Sequence, residues 1–289
     1  PGAMMLCVKH QVKLAFLSPS GRYIGSLEGE VKGNVLLRRT QYRLADDEPL
    51  ATHLASIFIA GKIANQRSVL ARYVRDYHPE GEAKELFREA LAQLRHQQML
   101  ALKQASRKDL LGVEGFAAST YFSLFSQLIR SAEFPFAGRS KRPPKDEVNA
   151  LLSFFYTLLA HDVRSALESV GLDPYVGFLH TDRPGRPSLA LDLMEELRAY
   201  LVDRFVITLI NRHQVVPSDF LPQGENGYLL REDARKELLA LWQKRKKEEI
   251  THPFLQERVS IGLLPYIQSQ LLARYLRGDL DDYPVFLIS

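Results

Sequence analysis

Residues 174–204, PYVGFLHTDRPGRPSLALDLMEELRAYLVDR, pass from an apolar run ending at His180 through a Pro/Gly/Arg turn into the start of a helix. In SLALDLMEELRAYLV the apolar positions Leu189, Leu193, Leu197 and Leu201 recur at helical spacing. Pro187 breaks the element before it, and Ser188 is placed to cap the helix. Asp192 and Glu195 stand three apart and so share a face, with Cβ atoms roughly 5 to 6 Å apart, whereas Glu196 is expected to point to solvent. One imidazole and two acids thus meet on apolar ground. Ionised carboxylates facing a core are costly unless paired, hydrogen-bonded or bound to a cation, and histidine with carboxylates suits Mn²⁺ or Mg²⁺ better than a thiolate metal. The ordinary alternative is a capped amphipathic helix whose first-turn acids complement its dipole, and the segment alone does not separate the two.

Outward from this stretch the same periodicity dominates. From Gly33 onward the spacing predicts helices near 34–45, 50–78, 80–104, 114–131, 145–170, 188–212, 231–250 and 260–278, interrupted mainly by loops at 135–144 and 214–227. Residues 6–30 differ. Their β-branched alternation around Pro19, Ser20 and Gly21 predicts two or three short strands, too few to stand alone. The fold class is therefore mainly α, with no fixed-period repeat.

Composition bounds the function. In 289 residues with 46% hydrophobic content there is enough apolar surface for one large core or two modest ones. A net charge of +4 and a pI of about 9.1 permit a polyanion partner without requiring one. The single cysteine, Cys7, excludes an intramolecular disulfide and a cysteine metal cluster, which fits a reducing compartment. No apolar run approaches the roughly 18 residues of a spanning helix, so a cytoplasmic protein with no membrane role is expected.

The cations are clustered. Arg38, Arg39 and Arg43 lie on the first long helix, Lys62, Arg67, Arg72 and Arg75 on the second, and Arg139, Lys141, Arg142 and Lys145 crowd one loop. Phosphate binding needs such clusters, although solvated helix faces carry Arg and Lys as a matter of course. The 244–247 run KRKK is followed by Glu248 and Glu249 and is explained by pairing along a helix. The loop is harder to explain structurally, since four cations around Pro143 and Pro144 repel one another. A further acid, Glu114, stands between Gly112 and an apolar helix with small residues Ala117, Ala118 and Ser119, where it reads either as a first-turn acid or as a group held close to neighbouring backbone.

Four blocks, VEGFAASTYF, GRSKRPPKDEVNALLSFFYTLL, GFLHTDRPGRPSLALDLMEELRAYLVDR and IGLLPYIQSQLLARYLRGDL, occur in an order that resembles the CRISPR-associated integrase-endonuclease of spacer acquisition, the Cas1 family, and its type I-C branch in particular. The resemblance runs from about residue 6 to the end. It implies an all-helical catalytic domain, here 31–289, preceded by a small β-domain on the order of 100 residues, of which 1–30 would be the C-terminal part. It implies Mg²⁺ or Mn²⁺ as cofactor, held by Glu114, His180 and an acid of the following helix. Glu195 matches that position, where other branches often carry aspartate, and Asp192 matches a second acid that many members share, so the third ligand is left between them. By the same resemblance Arg38, Arg39, Lys62, Arg139, Lys141 and Arg142 would lie along bound double-stranded DNA, the prespacer and the CRISPR repeat. The chain would form a homodimer and work with the small adaptation protein Cas2 and, in this branch, the Cas4 nuclease.

The implied activity is insertion of captured DNA as new spacers by attack of a 3′-OH on a phosphodiester, with water replacing that hydroxyl in the nuclease reaction. His180 reads first as a neutral-imidazole ligand and second as a general base. The competing expectation is a DNA-binding scaffold whose acids are structural and whose site is inactive.

Overall fold

A computed structural model of the chain describes residues 2–10, 12, 14–17, 23–27, 34–104 and 106–288. The periodic stretches form helices α1 (Gly2–Lys9), α2 (Val35–Asp46), α3 (Glu48–Tyr77), α4 (Gly81–Ala101), α5 (Arg107–Ser123), α6 (Phe125–Leu128), α7 (Glu147–Val170), α8 (Ser188–Leu193), α9 (Glu195–Leu197), α10 (Arg204–Asn211), α11 (Glu232–Lys246) and α12 (Leu264–Leu276). Among the described residues the strands make three two-stranded antiparallel hairpins: β1–β2 (Leu14–Leu17 and Tyr23–Leu27), β3–β4 (Phe220–Pro222 and Tyr228–Leu230) and β5–β6 (Glu249–Thr251 and Arg258–Ser260). The chain is mainly α, as the periodicity predicts.

The 30-residue α3 is the axis of the molecule. Its stretch LASIFIAGKIANQ is buried on every side, from Leu54 to Gln66, because α4 and α5 pack along it and α8, α9 and the turn after α9 cross it. Asp47 caps its start by accepting from Leu50 N at 3.1 Å. α7 is capped by Asp146, which accepts from Asn149 N at 2.7 Å, and ends at Gly171, whose φ of 89° is the left-handed conformation glycine adopts without strain. Polar side chains inside such an axis must be satisfied within the protein. Lys62, Asn65 and Gln66 are the buried ones on α3 beyond its first turns; Lys62 holds the acids Glu114 and Glu195, and Asn65 holds the C-terminal segment at Phe286.

Several expectations are corrected. Residues 6–9 belong to α1 and not to a strand, because they continue a run of helix-forming Ala, Met and Leu. The turn read at Pro19, Ser20 and Gly21 lies outside the described residues. The 214–227 loop contains the start of the β3–β4 hairpin, and the helix expected to reach 250 stops at Lys246, shortly before β5 begins. α5 starts at Arg107, capped by Ser106, so Glu114 is a mid-helix residue and Gly112 lies inside the helix with open space around it. No described helix is long and apolar enough to cross a membrane.

Candidate active site

The 174–204 segment folds as a loop, a broken helix and a π turn. The loop 173–180 is tethered from α2 by the buried Gln41, whose amide donates to Asp173 O at 2.7 Å and Val176 O at 2.8 Å and accepts from Asp173 N at 2.9 Å. Asp192, fully buried on α8, accepts at Oδ2 from the backbone N–H of Phe178 (2.7 Å) and Leu179 (2.9 Å) and at Oδ1 from that of His180 (3.1 Å). Its Oδ1 also meets His180 Nδ1 at 2.5 Å. A carboxylate that already accepts three N–H groups is an acceptor, so Nδ1 carries a proton, and in the neutral ring Nε2 is the nitrogen with the lone pair. This approach requires Gly177, where a Cβ would stand 2.6 Å from Asp192 Oδ2 and 2.9 Å from the Ser188 backbone. Ser188 is not a side-chain cap. Helix α8 begins at Ser188 itself, and Pro174 O receives the N–H groups of Leu189 (3.0 Å) and Ala190 (3.3 Å) instead.

The helix breaks at Met194 and resumes as α9, and residues 198–203 then form a π turn, an element that is rare and concentrates at functional positions. Glu195 turns toward α3. Its Oε2 lies 2.8 Å from Lys62 Nζ and its Oε1 3.0 Å from Arg198 Nη2. Lys62 Nζ is at the same time in a close ion pair with Oε1 of Glu114 from α5. Burial would raise the Glu195 pKa, but Arg198 foremost, then Lys62 and His180, overcome it and bring it down to about 2. For Lys62 burial works against the ammonium, and Glu195 and Glu114 outweigh it, so its pKa is raised.

Glu196 does not point to solvent. It is fully buried, accepting from Gln268 Nε2 (3.0 Å) and Tyr283 Oη (2.5 Å) at Oε1 and from Phe286 N (2.6 Å) at Oε2. The segment after α12 supplies two of those donors, and the break at Met194 re-aims the helix so that the side chain reaches them. Asn65, three residues after Lys62, holds the same segment by donating to Phe286 O (2.8 Å) and accepting from Ile288 N (2.8 Å).

In front of the ion pair lies a cleft of about 510 Å³ lined by Lys62, Glu114, Ser119, Arg139, Lys141 and Arg198 among others. Lys141 is exposed at the rim, where partial loss of water and the nearby Arg198 and Lys62 lower its pKa. Arg139 points inward: it donates to Asn149 Oδ1 (2.7 Å) and Ser153 Oγ (3.1 Å) and lies over the Tyr156 ring. This resolves part of the repulsion expected in the loop, since one of its four cations is tied into α7 while Lys141, Arg142 and Lys145 remain exposed. Nε of Arg139 and Nε of Arg198 are buried and have no hydrogen-bond partner among the described residues. On α2, Arg38 donates to Gly171 O at 3.2 Å and Arg39 is exposed. Lys62 is not on a solvated face with Arg72 and Arg75 but inside the protein, because both of its acidic partners approach from the core side of α3.

The structure thus brings Glu114 and Glu195 onto one lysine and His180 onto Asp192. Among the described residues no three His, Cys, Asp or Glu side chains are gathered closely enough to enclose a metal ion. Arg198 is a site residue that the sequence patterns do not single out; its position three residues after Glu195 in the helix that the sequence predicts over 188–212 is the signal that could have found it.

The family model described as CRISPR associated protein Cas1 matches residues 1–244. The chain is 53% identical over 291 residues to CRISPR-associated endonuclease Cas1 2 of Rhodospirillum rubrum, spanning 98% of this chain and 83% of that protein. It is 50% identical over 289 residues to CRISPR-associated endonuclease Cas1 1 of Chlorobaculum tepidum, spanning 97% and 82%. A Cas4 exonuclease/Cas1 endonuclease fusion of Geobacter sulfurreducens is 37% identical over 99% of this chain and 51% of the fusion. Among solved structures, a casposase bound to an integration product superposes with a TM-score of 0.81 at 24% identity, over 98% of this chain and 76% of that one. A Cas6-RT-Cas1–Cas2 complex gives 0.79 at 25% identity, over 99% and 30%.

Proposed function

The chain belongs to the Cas1 family, and we propose that within it this protein is a divalent-metal-dependent DNA endonuclease and integrase that joins the 3′-OH of a captured fragment to a phosphodiester of a CRISPR array. One observation carries the reading: Glu114 and Glu195, from two different helices, close on a single cationic locus at the floor of a basic cleft. Two carboxylates already arranged about an ammonium, with an imidazole nearby whose Nδ1 is held by Asp192, are a hard oxygen and nitrogen donor set that fits Mg²⁺ or Mn²⁺. Glu114, Glu195 and His180 would hold the ion. When bound it would supply charge neutralisation at the transferring phosphoryl group and a lowered pKa for the attacking hydroxyl.

The remaining residues have distinct tasks. Both oxygens of Asp192 are committed to the 178–180 backbone and the His180 ring, which favours Glu195 over Asp192 as the third ligand and makes Asp192 the residue that fixes the His180 tautomer. Because His180 then offers Nε2 as a ligand, its use as a general base is secondary. Lys141 at the rim is the donor for phosphate oxygens of DNA passing through the cleft, and the inward-turned guanidinium groups of Arg139 and Arg198 add positive charge to its wall. Double-stranded DNA, a second copy of the chain, Cas2 and Cas4 are the partners proposed, supported for the last two by the named complex and fusion.

Replacing Glu114 or His180 with alanine tests the reading. Mn²⁺-dependent strand transfer is expected to fall by about 100-fold or more while DNA affinity stays within about twofold, phosphate contacts being elsewhere. Full activity in both variants would overturn the metal-site assignment, and a wild type that binds DNA without any Mn²⁺-dependent strand transfer would be a DNA-binding scaffold.

A further inference from the structure

A metal centre calls for neither of the two cations paired with Glu195, and of these Lys62 is the one that also pairs with Glu114. A primary ammonium, 7% exposed, sits with Nζ against Glu114 Oε1 and 2.8 Å from Glu195 Oε2. Without it two carboxylates from separate helices would face each other in a poorly solvated place, and like charges so placed repel strongly. The contact to Glu195 is a charge contact more than a hydrogen bond. Glu195 Oε2 is buried, and the Lys62 ammonium 2.8 Å away approaches it outside good hydrogen-bond geometry. The lysine stem is flexible, and Lys62 itself lines the cleft of about 510 Å³, which offers the ammonium a place to move to.

We propose that Lys62 is an exchangeable internal counter-ion: it occupies the locus between Glu114 and Glu195 in the absence of metal, competes with the divalent ion for it, and when displaced turns its ammonium into the cleft toward a phosphate oxygen of the DNA. The ammonium keeps its proton throughout. Only its partners change, from two carboxylates to a phosphodiester, so the charge that holds the acids together in the free protein becomes available to the substrate once metal takes the acids over. This inference rests on the metal reading of the site.

Manganese titration of the full chain, followed by the loss of the free Mn²⁺ paramagnetic resonance signal, separates the two. Lys62→Met removes the competing charge and is expected to tighten Mn²⁺ binding about tenfold while lowering strand transfer at saturating Mn²⁺ by at least about tenfold, since the phosphate partner is lost. Lys62→Arg keeps the charge in a fork that grips two carboxylates more firmly, and is expected to weaken Mn²⁺ binding. Opposite displacements of the two isotherms support the proposal. If wild type binds Mn²⁺ at a site that Glu114→Ala removes, and Lys62→Met binds no tighter than wild type, Lys62 is a structural ion pair and the proposal fails alone. If wild type and Glu114→Ala give the same isotherm, the metal reading fails and takes the proposal with it. Should Lys62→Met not fold, the arginine variant decides: unchanged or tighter Mn²⁺ binding in it overturns the proposal.

Discussion

Asp192 has no lone pair directed at the cleft: three backbone N–H groups and the His180 ring take both oxygens. Its neighbour in the motif, Glu195, has two cations for partners and an oxygen without a hydrogen-bond donor. The two acids therefore separate by experiment. Asp192→Asn turns an NH₂ group toward N–H donors whichever way the amide lies, which is expected to cost about 3 kcal/mol of stability and to weaken Mn²⁺ binding about 10- to 100-fold without abolishing it. Glu195→Gln is expected to abolish specific Mn²⁺ binding. Chemical denaturation and a Mn²⁺ titration of the two variants read both effects, and the reverse ranking in the titration would make Asp192 the ligand.

At the scale of the elements, the π turn ties the site to the bundle. Arg198, its first residue, binds Glu195 and lies 4.8 Å from the centre of the Tyr156 ring on α7. Asp203, its last, accepts from Tyr156 Oη at 2.5 Å and is buried beside Tyr121 of α5. Burial raises the Asp203 pKa from 3.8 to about 6. With the folded value above the unfolded one, the folded protein holds the proton more tightly. The associated stability is fully present below about pH 4 and is lost as pH rises through about 6. Taking roughly 1.4 kcal/mol per unit, that loss is about 3 kcal/mol. Urea unfolding of wild type and Asp203→Asn at pH 4 and pH 7.5 should show the wild type losing about this much relative to the variant, and parallel pH profiles would remove Asp203 as the source. A second tie lies behind the acids, where the segment after α12 packs so closely on α3 that a Cβ at Gly61 would overlap Val285 Cγ2.

At the scale of the whole molecule, the basic residues sort into those that build and those that are free to bind. Arg139 and Lys62 are engaged inside the protein, whereas Lys141, Arg142 and Arg39 are exposed. Neutralising Lys141 and Arg142 together is expected to lower DNA affinity and to reduce the slope of log K against log salt by about 2, one for each phosphate left without its cation, with little change in stability. Arg139→Ala should lower stability as well, because it removes the donor to Asn149 and Ser153. A salt slope unchanged in the double variant would take this rim off the DNA path.

The amino-acid sequence by itself determined the helical architecture and the family, because both are written in local signals: the spacing of Leu189, Leu193, Leu197 and Leu201, which are all buried, and ordered blocks around Glu114 and His180. It placed His180 beside Asp192 for the same reason, their separation along the chain being 12 residues. The features it left open depend on groups far apart in the chain. Glu196 reads as solvated in the sequence because its donors, Gln268, Tyr283 and Phe286, lie 72 to 90 residues later. Lys62 reads there as a surface cation because Glu114 and Glu195 meet it only when α5 and α9 pack against α3. Tertiary structure alone decided which acid pairs with Lys62 and Arg198 and which holds the histidine, since a buried charge is fixed in place by the partners that the fold brings to it.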